Sequence, residues 1–517
     1  MRQDLICLNA PGSVRALDDA DPSRLLCRGL ALYTDRMPAV PSLDISLPFD
    51  LQLDLVAFVH VVAATAVTVH VLLRKRDVRA AIGWIGLAWL SPIAGPALYY
   101  VFGINRVTRR AARLTLGRQT AASANSAGLP GQAPLPENIL TIARVSQRVT
   151  AHPLAEGNAL SLLRGGDEAY PAMLAAIEGA ERSIALASYI FRLDPVGRAF
   201  IAALREARRR GVEIRVLIDG IGSGYPLSAT ARALARAGIP VARFMFHWLP
   251  WRMPFLNMRN HKKLLIIDGR VGFSGGLNIG AENTGAAPIG RRVEDVQFRA
   301  EGPVVAQLML TFAEDWDFIT GEILRGEAWW PEIAPRGSSR ARGISSGPDE
   351  DLRKLESILA SAVAAARERI RIVTPYFLPD QRISTSIELA ALRGVAVEIV
   401  LPERTDHPWL DWAMRAHLEF LALPGVNLYA SPAPFDHSKL VTVDGSWCAL
   451  GSANWDVRSL RLNFEFMLEC YGADTASAVD RLIDAKIARA RMLSALGRRP
   501  LPARLRNAAA RLMLPYL

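Results

Sequence analysis

His261 and Lys263 stand two residues apart in Asn260-His261-Lys262-Lys263-Leu264-Leu265-Ile266-Ile267-Asp268-Gly269, a stretch that runs on to Gly275-Gly276-Leu277-Asn278. The pattern returns near the C-terminus as His437-Ser438-Lys439, Asp444-Gly445 and Gly451-Ser452-Ala453-Asn454. In both copies Lys follows His by two, Asp follows Lys by five, and Gly and Asn follow Asp by seven and ten. One such match is noise; two that agree at five positions are a signal. The residue types suit chemistry at a phosphodiester. A neutral imidazole attacks phosphorus and a protonated one donates to the departing oxygen. Ammonium and carboxamide groups hold the non-bridging oxygens as negative charge builds, so two such sets facing each other can work without a metal.

The elements that must carry these groups follow from the flanking residues. Leu264–Ile267 and Leu440–Val443 are apolar, and each ends in Asp-Gly before more apolar residues. That is a strand, a tight turn and a return strand, with Gly at positive φ. Residues two apart on a strand share a face, so His261 aligns with Lys263 and His437 with Lys439. Past the return strand, the glycines let the backbone pass close to a ligand and bring up Asn278 and Asn454. Asp268 and Asp444 are expected to be structural, each bonding local backbone from its turn. Upstream, a strand (Ile184–Ser188), an amphipathic helix (Gly197–Arg210) and a buried strand (Val212–Asp219) recur as Ile370–Thr374, Arg382–Arg393 and Val395–Leu401. "ERSIALASYIF" and "RERIRIVTPYF" are two forms of one phrase. Strands alternating with helices predict an α/β fold of two homologous lobes, each bringing one H-x-K to a single catalytic unit.

At these residues the chain resembles the phospholipase D superfamily, whose signature is H-x-K-x4-D-x6-G-S-x-N. The second copy matches in full, whereas the first has Gly276 where Ser is usual. One hydroxyl is therefore missing, and a backbone N–H is expected to serve in its place. The resemblance spans roughly residues 160–500. It implies two phospholipase D-type lobes, a phosphohistidine intermediate and no cofactor. It also implies His261 as nucleophile and His437 as acid/base, although the near symmetry leaves swapped roles open. Lys263, Lys439, Asn278 and Asn454, with Gly276 and Ser452, would surround the phosphate. Each imidazole needs an acceptor at its other nitrogen. Asp295, opening "DVQFRAEG", and Glu465, opening "EFMLECYG", match the family's orienting carboxylates, with Glu294 a rival for Asp295.

Leu55–Leu73 holds 19 residues without a formal charge, about 28 Å as a helix and close to the hydrocarbon thickness. Ala80–Phe102 holds 23 more, with Trp84, Trp89, Tyr99 and Tyr100 suited to interfacial belts. Together they predict a transmembrane helical hairpin with both ends on one side; a pair of buried core helices is the alternative. Pro92 and Pro96 would kink the second helix, which leaves a re-entrant segment open. Arg74, Lys75, Arg76 and Arg79 in the connection nearly balance Arg106, Arg109, Arg110, Arg113 and Arg118 beyond it, so the positive-inside rule decides little. The catalytic part is expected on the cytoplasmic side of a bacterial inner membrane.

The segment from Arg74 to Arg106, including "WLSPIAGPALYYVFG", also resembles the N-terminal region of bacterial cardiolipin synthases. "NHKKLLIIDG", "SGGLNIG", "AEDWDFITGE", "VTPYFLPD" and "RSLRLNFEF" extend that resemblance. It implies transfer of a phosphatidyl group between two phosphatidylglycerols with release of glycerol. A membrane-bound phospholipase D using other acceptors, and a nuclease, are the alternatives. Basic charge would suit a nucleic-acid backbone, but a membrane hairpin is a poor companion for a nuclease. Phosphatidylglycerol and other anionic phospholipids are therefore the expected partners, with no nucleic acid.

The remaining sequence sets bounds. The 517 residues are 50% hydrophobic, enough for about three domains with a large core. A net charge of +11 and a pI near 9.8 point to an anionic partner. Cys7, Cys27, Cys448 and Cys470 form no metal-ligand pattern and read as free thiols in a reducing compartment. The expected organisation is an extension (1–50, with translation starting at Met37), the hairpin (51–104), a basic segment and linker (105–138), lobe 1 (139–330), an inter-lobe loop (331–350), lobe 2 (351–500) and an amphipathic tail (501–517). Phe244, Phe246, Trp248, Trp251 and Phe255, with Trp409 and Trp412, form either inter-lobe core or an apolar rim for acyl chains. In the tail Leu505, Ala509 and Leu512 share a helical face away from Arg504 and Arg511, to lie on anionic lipid or pack on the lobe. Two motifs in one chain allow a complete site in a monomer, and the oligomeric state stays open.

Overall fold

The structure, a computed structural model of the full chain, describes residues 49–75, 78–103, 134–249, 258–348, 353–421, 423–493 and 500–512. Met37, Trp251, Phe255 and nearly all of the expected linker lie outside the described residues. The chain divides into two compact units between Gly103 and Ile104.

The first unit is helical. Helix α1 (Phe49–Arg74) contains Leu53–Arg74, 22 residues of mean hydropathy 2.2 with 17% of its apolar window buried. A soluble core helix would be covered; this one is long, apolar and uncovered, the combination that lipid accommodates. The second expected span is not one helix. Helix α2 (Val78–Leu90) ends at Ser91-Pro92, where proline offers no N–H to continue the ladder. A short helix, α3 (Ala94–Leu98), and a π turn over Tyr99–Gly103 then run back along α2. A Cβ on Gly95 would lie 2.2 Å from the Leu87 carbonyl oxygen, and the Tyr99 ring meets Trp84 edge-on at 5.3 Å. The Tyr99 hydroxyl also reaches His70 Nδ1 at 2.6 Å. Among the described residues α1 alone is long and apolar enough to cross a membrane. The expected two-span hairpin is thus not shown: there is one long helix and a second, broken segment that doubles back on itself.

The second unit is built on one fifteen-stranded mixed sheet that repeats itself. Lobe 1 supplies β1 (Ala155–Arg164), β2 (Ser183–Ser188), β3 (Glu213–Asp219), β4 (Val241–Phe244), β5 (Leu264–Ile267), β6 (Val271–Gly275) and β7 (Val296–Glu301). Lobe 2 supplies β8 (Ser339–Ser346), β9 (Arg369–Val373), β10 (Ala396–Pro402), β11 (Val426–Ser431), β12 (Leu440–Val443), β13 (Trp447–Gly451) and β14 (Glu465–Tyr471). Across the sheet the order is β1-β7-β6-β5-β2-β3-β4 in one lobe and β8-β14-β13-β12-β9-β10-β11 in the other, one permutation used twice. The halves join where β1 and β8 pair antiparallel, Ala155 opposite Ala341. Arg491–Met492 adds a short edge strand on β11.

Within each lobe the first three strands of the phrase are parallel (β2-β3-β4 and β9-β10-β11). Helices cross over between them, as α/β connections must. Pro195–Arg209 and Gln381–Leu392 are two of these, each capped by an aspartate, Asp194 or Asp380, that accepts an N–H from its first turn. Cys448 and Cys470 face each other across β13 and β14 as buried free thiols.

Three local expectations change. The segment 331–350 is not a plain loop, because it contains β8, which pairs with both β1 and β14. Its sequence SRARGISS shows no apolar alternation, and its interior is polar: Arg342 is buried against Glu469 at 3.2 Å. The helix Glu137–Thr150, placed in lobe 1 by sequence order, puts Ile139 and Ile142 into the lobe 2 core. The chain therefore contributes to lobe 2 before it builds lobe 1. The aromatic set also divides, for Phe244 packs in the core against Phe464 at 4.9 Å whereas Trp248 is 61% exposed. The C-terminal helix Leu501–Leu512 lays Arg506 over Trp412 and Arg511 over Phe420, and turns Leu501, Leu505 and Leu512 outward.

Candidate active site

The backbone just before each catalytic strand is pinned to the opposite lobe. His261 N–H donates to the Phe464 carbonyl at 2.8 Å, and Phe464 N–H returns a bond to Arg259 at 2.8 Å. On the other side, Phe435–Asp436 pairs in parallel with Val293–Glu294, and His437 N–H donates to the Glu294 carbonyl at 2.7 Å. Phe464 precedes Glu465, and Glu294 precedes Asp295. The two carboxylates are therefore exchanged: His261 Nδ1 lies 3.2 Å from Glu465 Oε1 of lobe 2, and His437 Nδ1 lies 2.7 Å from Asp295 Oδ2 of lobe 1. With both Nδ1 atoms held, Nε2 is left for chemistry on each ring. The imidazoles remain 18% and 19% exposed, while the carboxylates behind them are buried.

Lys263 Nζ donates to the His261 carbonyl at 2.6 Å. Lys439 Nζ donates to the His437 carbonyl and lies 2.7 Å from His437 Nδ1 and 3.8 Å from Asp295. Burial pushes both imidazoles below their ordinary value; Glu465 opposes this at His261, whereas Lys439 adds to it at His437. Both rings are accordingly neutral near pH 7. Burial drives Lys263 down to about 8 against the pull of Glu465, and lowers Lys439 as well. Burial alone would raise Glu465, but His261, Lys263 and Ser452 bring it below its usual range. A bound phosphate would supply the negative charge that the lysines lack.

Asn278 Oδ1 accepts from Ile190 N–H at 3.2 Å, which leaves its amide nitrogen to donate. Asn454 is buried, and its Oδ1 has no partner among the described residues. Asn278 and His437 together line a cavity of 860 Å³ between the lobes. Gly276 and Ser452, expected at the phosphate, are committed elsewhere. Ser452 Oγ donates to Glu465 Oε2 at 2.5 Å and accepts from Phe466 N–H at 2.9 Å. Gly276 N–H is spent on the Val296 carbonyl at 3.1 Å, and a Cβ there would fall 2.2 Å from Asp295 Oδ1. The departure at Gly276 thus has a steric reason: the shorter aspartate carboxylate sits against the backbone, where only glycine leaves room.

Asp268 and Asp444 occupy left-handed positions at φ 52° and 48°, followed by Gly269 and Gly445 at 62° and 58°. Neither carboxylate bonds to a site residue. Asp268 accepts from the N–H groups of Glu181, Arg182 and Ser183, and Asp444 from those of Arg367, Glu368 and Arg369. These amides lie at the entrances to β2 and β9, so the bonds are not local as expected but tie the turn to its neighbouring strand. Glu294 pairs with Arg489 and supplies only its carbonyl to His437, which leaves the orienting role to Asp295.

Two neighbours of His261 were not anticipated. The Tyr189 ring lies 4.1 Å from the imidazole, and Asn463 Nδ2 reaches His261 Nδ1 at 3.2 Å and Glu465 at 3.1 Å. The repeat gave no signal for the first, because Tyr189 aligns with Pro375 in the phrases ending SYIF and TPYF.

Comparison with known proteins agrees with this architecture. The family model described as "Cardiolipin synthase, PLD-like domain" matches residues 173–316 and 359–487. Cardiolipin synthase of Geobacillus kaustophilus (strain HTA426) is 32% identical over 457 residues, covering 86% of this chain and 90% of that protein. Cardiolipin synthase A of Pseudomonas fluorescens (strain Pf-5) is 32% identical over 451 residues, covering 85% and 92%. Among solved structures, the phosphatidylserine synthase of Haemophilus influenzae Rd KW20 superposes with a TM-score of 0.58 at 15% identity, over 73% of this chain and all of that one, a likeness of fold. With both repeats matched and relatives aligned over most of their length, the chain belongs to the phospholipase D-like cardiolipin synthases.

Proposed function

We propose that this phosphatidyltransferase joins two phosphatidylglycerols and releases glycerol, carrying the phosphatidyl group on His261. The observation that supports this most is the pair of imidazoles whose Nδ1 atoms are each held by the opposite lobe's carboxylate. His261 Nε2 attacks the donor phosphorus, and the P–O bond to glycerol breaks as His437 gives that oxygen its proton. The hydroxyl of a second phosphatidylglycerol then yields its proton to His437 and attacks phosphorus, breaking the P–N bond and restoring both rings. His437 takes the acid/base part because it lines the 860 Å³ cavity through which glycerol leaves and the acceptor enters. Lys263, Lys439, Asn278 and Asn454 hold the non-bridging oxygens, and a phosphate would draw Lys439 away from the His437 nitrogen that it crowds.

For the membrane part, α1 crosses the bilayer and the α2–α3 segment enters and returns to the side it left. Arg74 and Lys75 then lie on the same face as the basic stretch from Arg106 to Arg118, and the positive-inside rule places that face and the catalytic lobes in the cytoplasm. The activity is tested by incubating membranes from expressing cells with labelled phosphatidylglycerol. Cardiolipin with an equal yield of glycerol is expected. Phosphatidic acid as the sole product would make the protein a hydrolase, and DNA cleavage with inert lipid would make it a nuclease.

A further inference from the structure

The cavity beside His437 is larger than a departing glycerol needs, and its walls carry cations without partners. Arg291, Arg292 and Arg404 line it, and among the described residues none of their side chains makes a hydrogen bond or ion pair. Arg292 Nε is buried and unsatisfied, a costly state for a guanidinium nitrogen unless a ligand completes it. Of the acidic residues on the same walls, Glu282 is paired with Arg192 at 2.6 Å and Glu403 with Arg491 at 3.7 Å, which leaves Asp406, bonded to the Tyr376 hydroxyl, as one carboxylate against three arginines. The cavity's surplus is therefore positive, on walls that also carry His437 and Asn278.

We propose that Arg291, Arg292 and Arg404 form a second phosphate subsite, which holds the acceptor lipid's own phosphodiester while its glycerol hydroxyl is presented to His437. This rests on the transfer between two phosphatidylglycerols described above. The donor's glycerol is neutral and has no use for the arginines. An acceptor phosphatidylglycerol carries a second phosphate one glycerol's length beyond the attacking oxygen, and arginine recognises such an anion through paired N–H donors. Water and free glycerol lack that anion, so the subsite selects the lipid acceptor at the step that decides the product.

The test compares two fates of one phosphatidyl-enzyme in the full-length protein: transfer to phosphatidylglycerol, read as cardiolipin, and transfer to labelled glycerol, read as label entering phosphatidylglycerol. In the triple variant Arg291→Gln, Arg292→Gln, Arg404→Gln the ratio of cardiolipin to exchange is expected to fall at least tenfold, with a raised KM for the lipid acceptor. Arg292→Lys in the native background should keep most of the ratio, because charge is retained. An unchanged ratio, or an equal fall in both products, overturns the subsite. A native protein that yields neither product from phosphatidylglycerol would instead overturn the parent reading.

Discussion

Lys263 sits where its charge matters most and is hardest to keep. Burial brings it down to about 8, so in the free enzyme it is still an ammonium at pH 7 and loses its proton as pH rises through that value. kcat/KM for phosphatidylglycerol reports the free enzyme and should therefore fall above pH ~8. Lys263→Arg keeps its charge beyond pH ~12, so the alkaline limb should vanish from whatever activity remains. An identical alkaline limb in native and Lys263→Arg proteins would assign it to another group. The imidazoles behave oppositely: burial lowers both, so they stay neutral down to mildly acid pH and acquire the transferable proton only with substrate phosphate nearby.

At the scale of elements, the proposed membrane arrangement rests on the reversal after α2. Pro92 stops the helix at 13 residues, about 20 Å at 1.5 Å per residue and short of a bilayer core. The return past Leu87 and Trp84 then sends the chain back toward the α1–α2 connection. Single cysteines in a background lacking the four native ones provide the check. In intact spheroplasts an impermeant maleimide should label Ser42→Cys, but reach Lys75→Cys and Ser126→Cys only after permeabilisation. Labelling of Lys75→Cys from outside, with Ser42→Cys and Ser126→Cys both protected, would restore the two-span hairpin.

For the whole molecule, the exchange of carboxylates makes each lobe incomplete without the other. Glu465 holds His261 from lobe 2, and Asp295 holds His437 from lobe 1; in the proposed reaction the first serves the nucleophile and the second the proton carrier. A phosphatidyl ester of nitrophenol separates the two duties, because its leaving group needs no proton. Asp295→Asn should keep the burst of nitrophenol and slow the following turnover by roughly a hundredfold or more. Glu465→Gln should lose the burst itself. The reverse outcome would exchange the roles of His261 and His437, and loss of the burst in both would mean that the carboxylates act on one site jointly.

Much of this was legible in the residues alone. The spacing of His261, Lys263, Asp268 and Asn278 and its echo at His437, Lys439, Asp444 and Asn454 marked the motifs. Apolar runs of strand length marked β2, β3, β5, β9, β10 and β12, since period and turn chemistry are local properties of a chain. Both orienting carboxylates could be picked out by their equivalent places in the two repeats. Which imidazole each carboxylate serves could not be read, because that depends on Asn260 meeting Phe464 and Asp436 meeting Glu294, backbone pairings between distant segments. The same reason hid β8, whose polar sequence becomes a strand only between β1 and β14, and the membership of Glu137–Thr150 in the opposite lobe. Gly276 and Ser452 show the division most plainly. Sequence placed them in a phosphate motif, and only packing against carboxylates of different length gave them their separate duties.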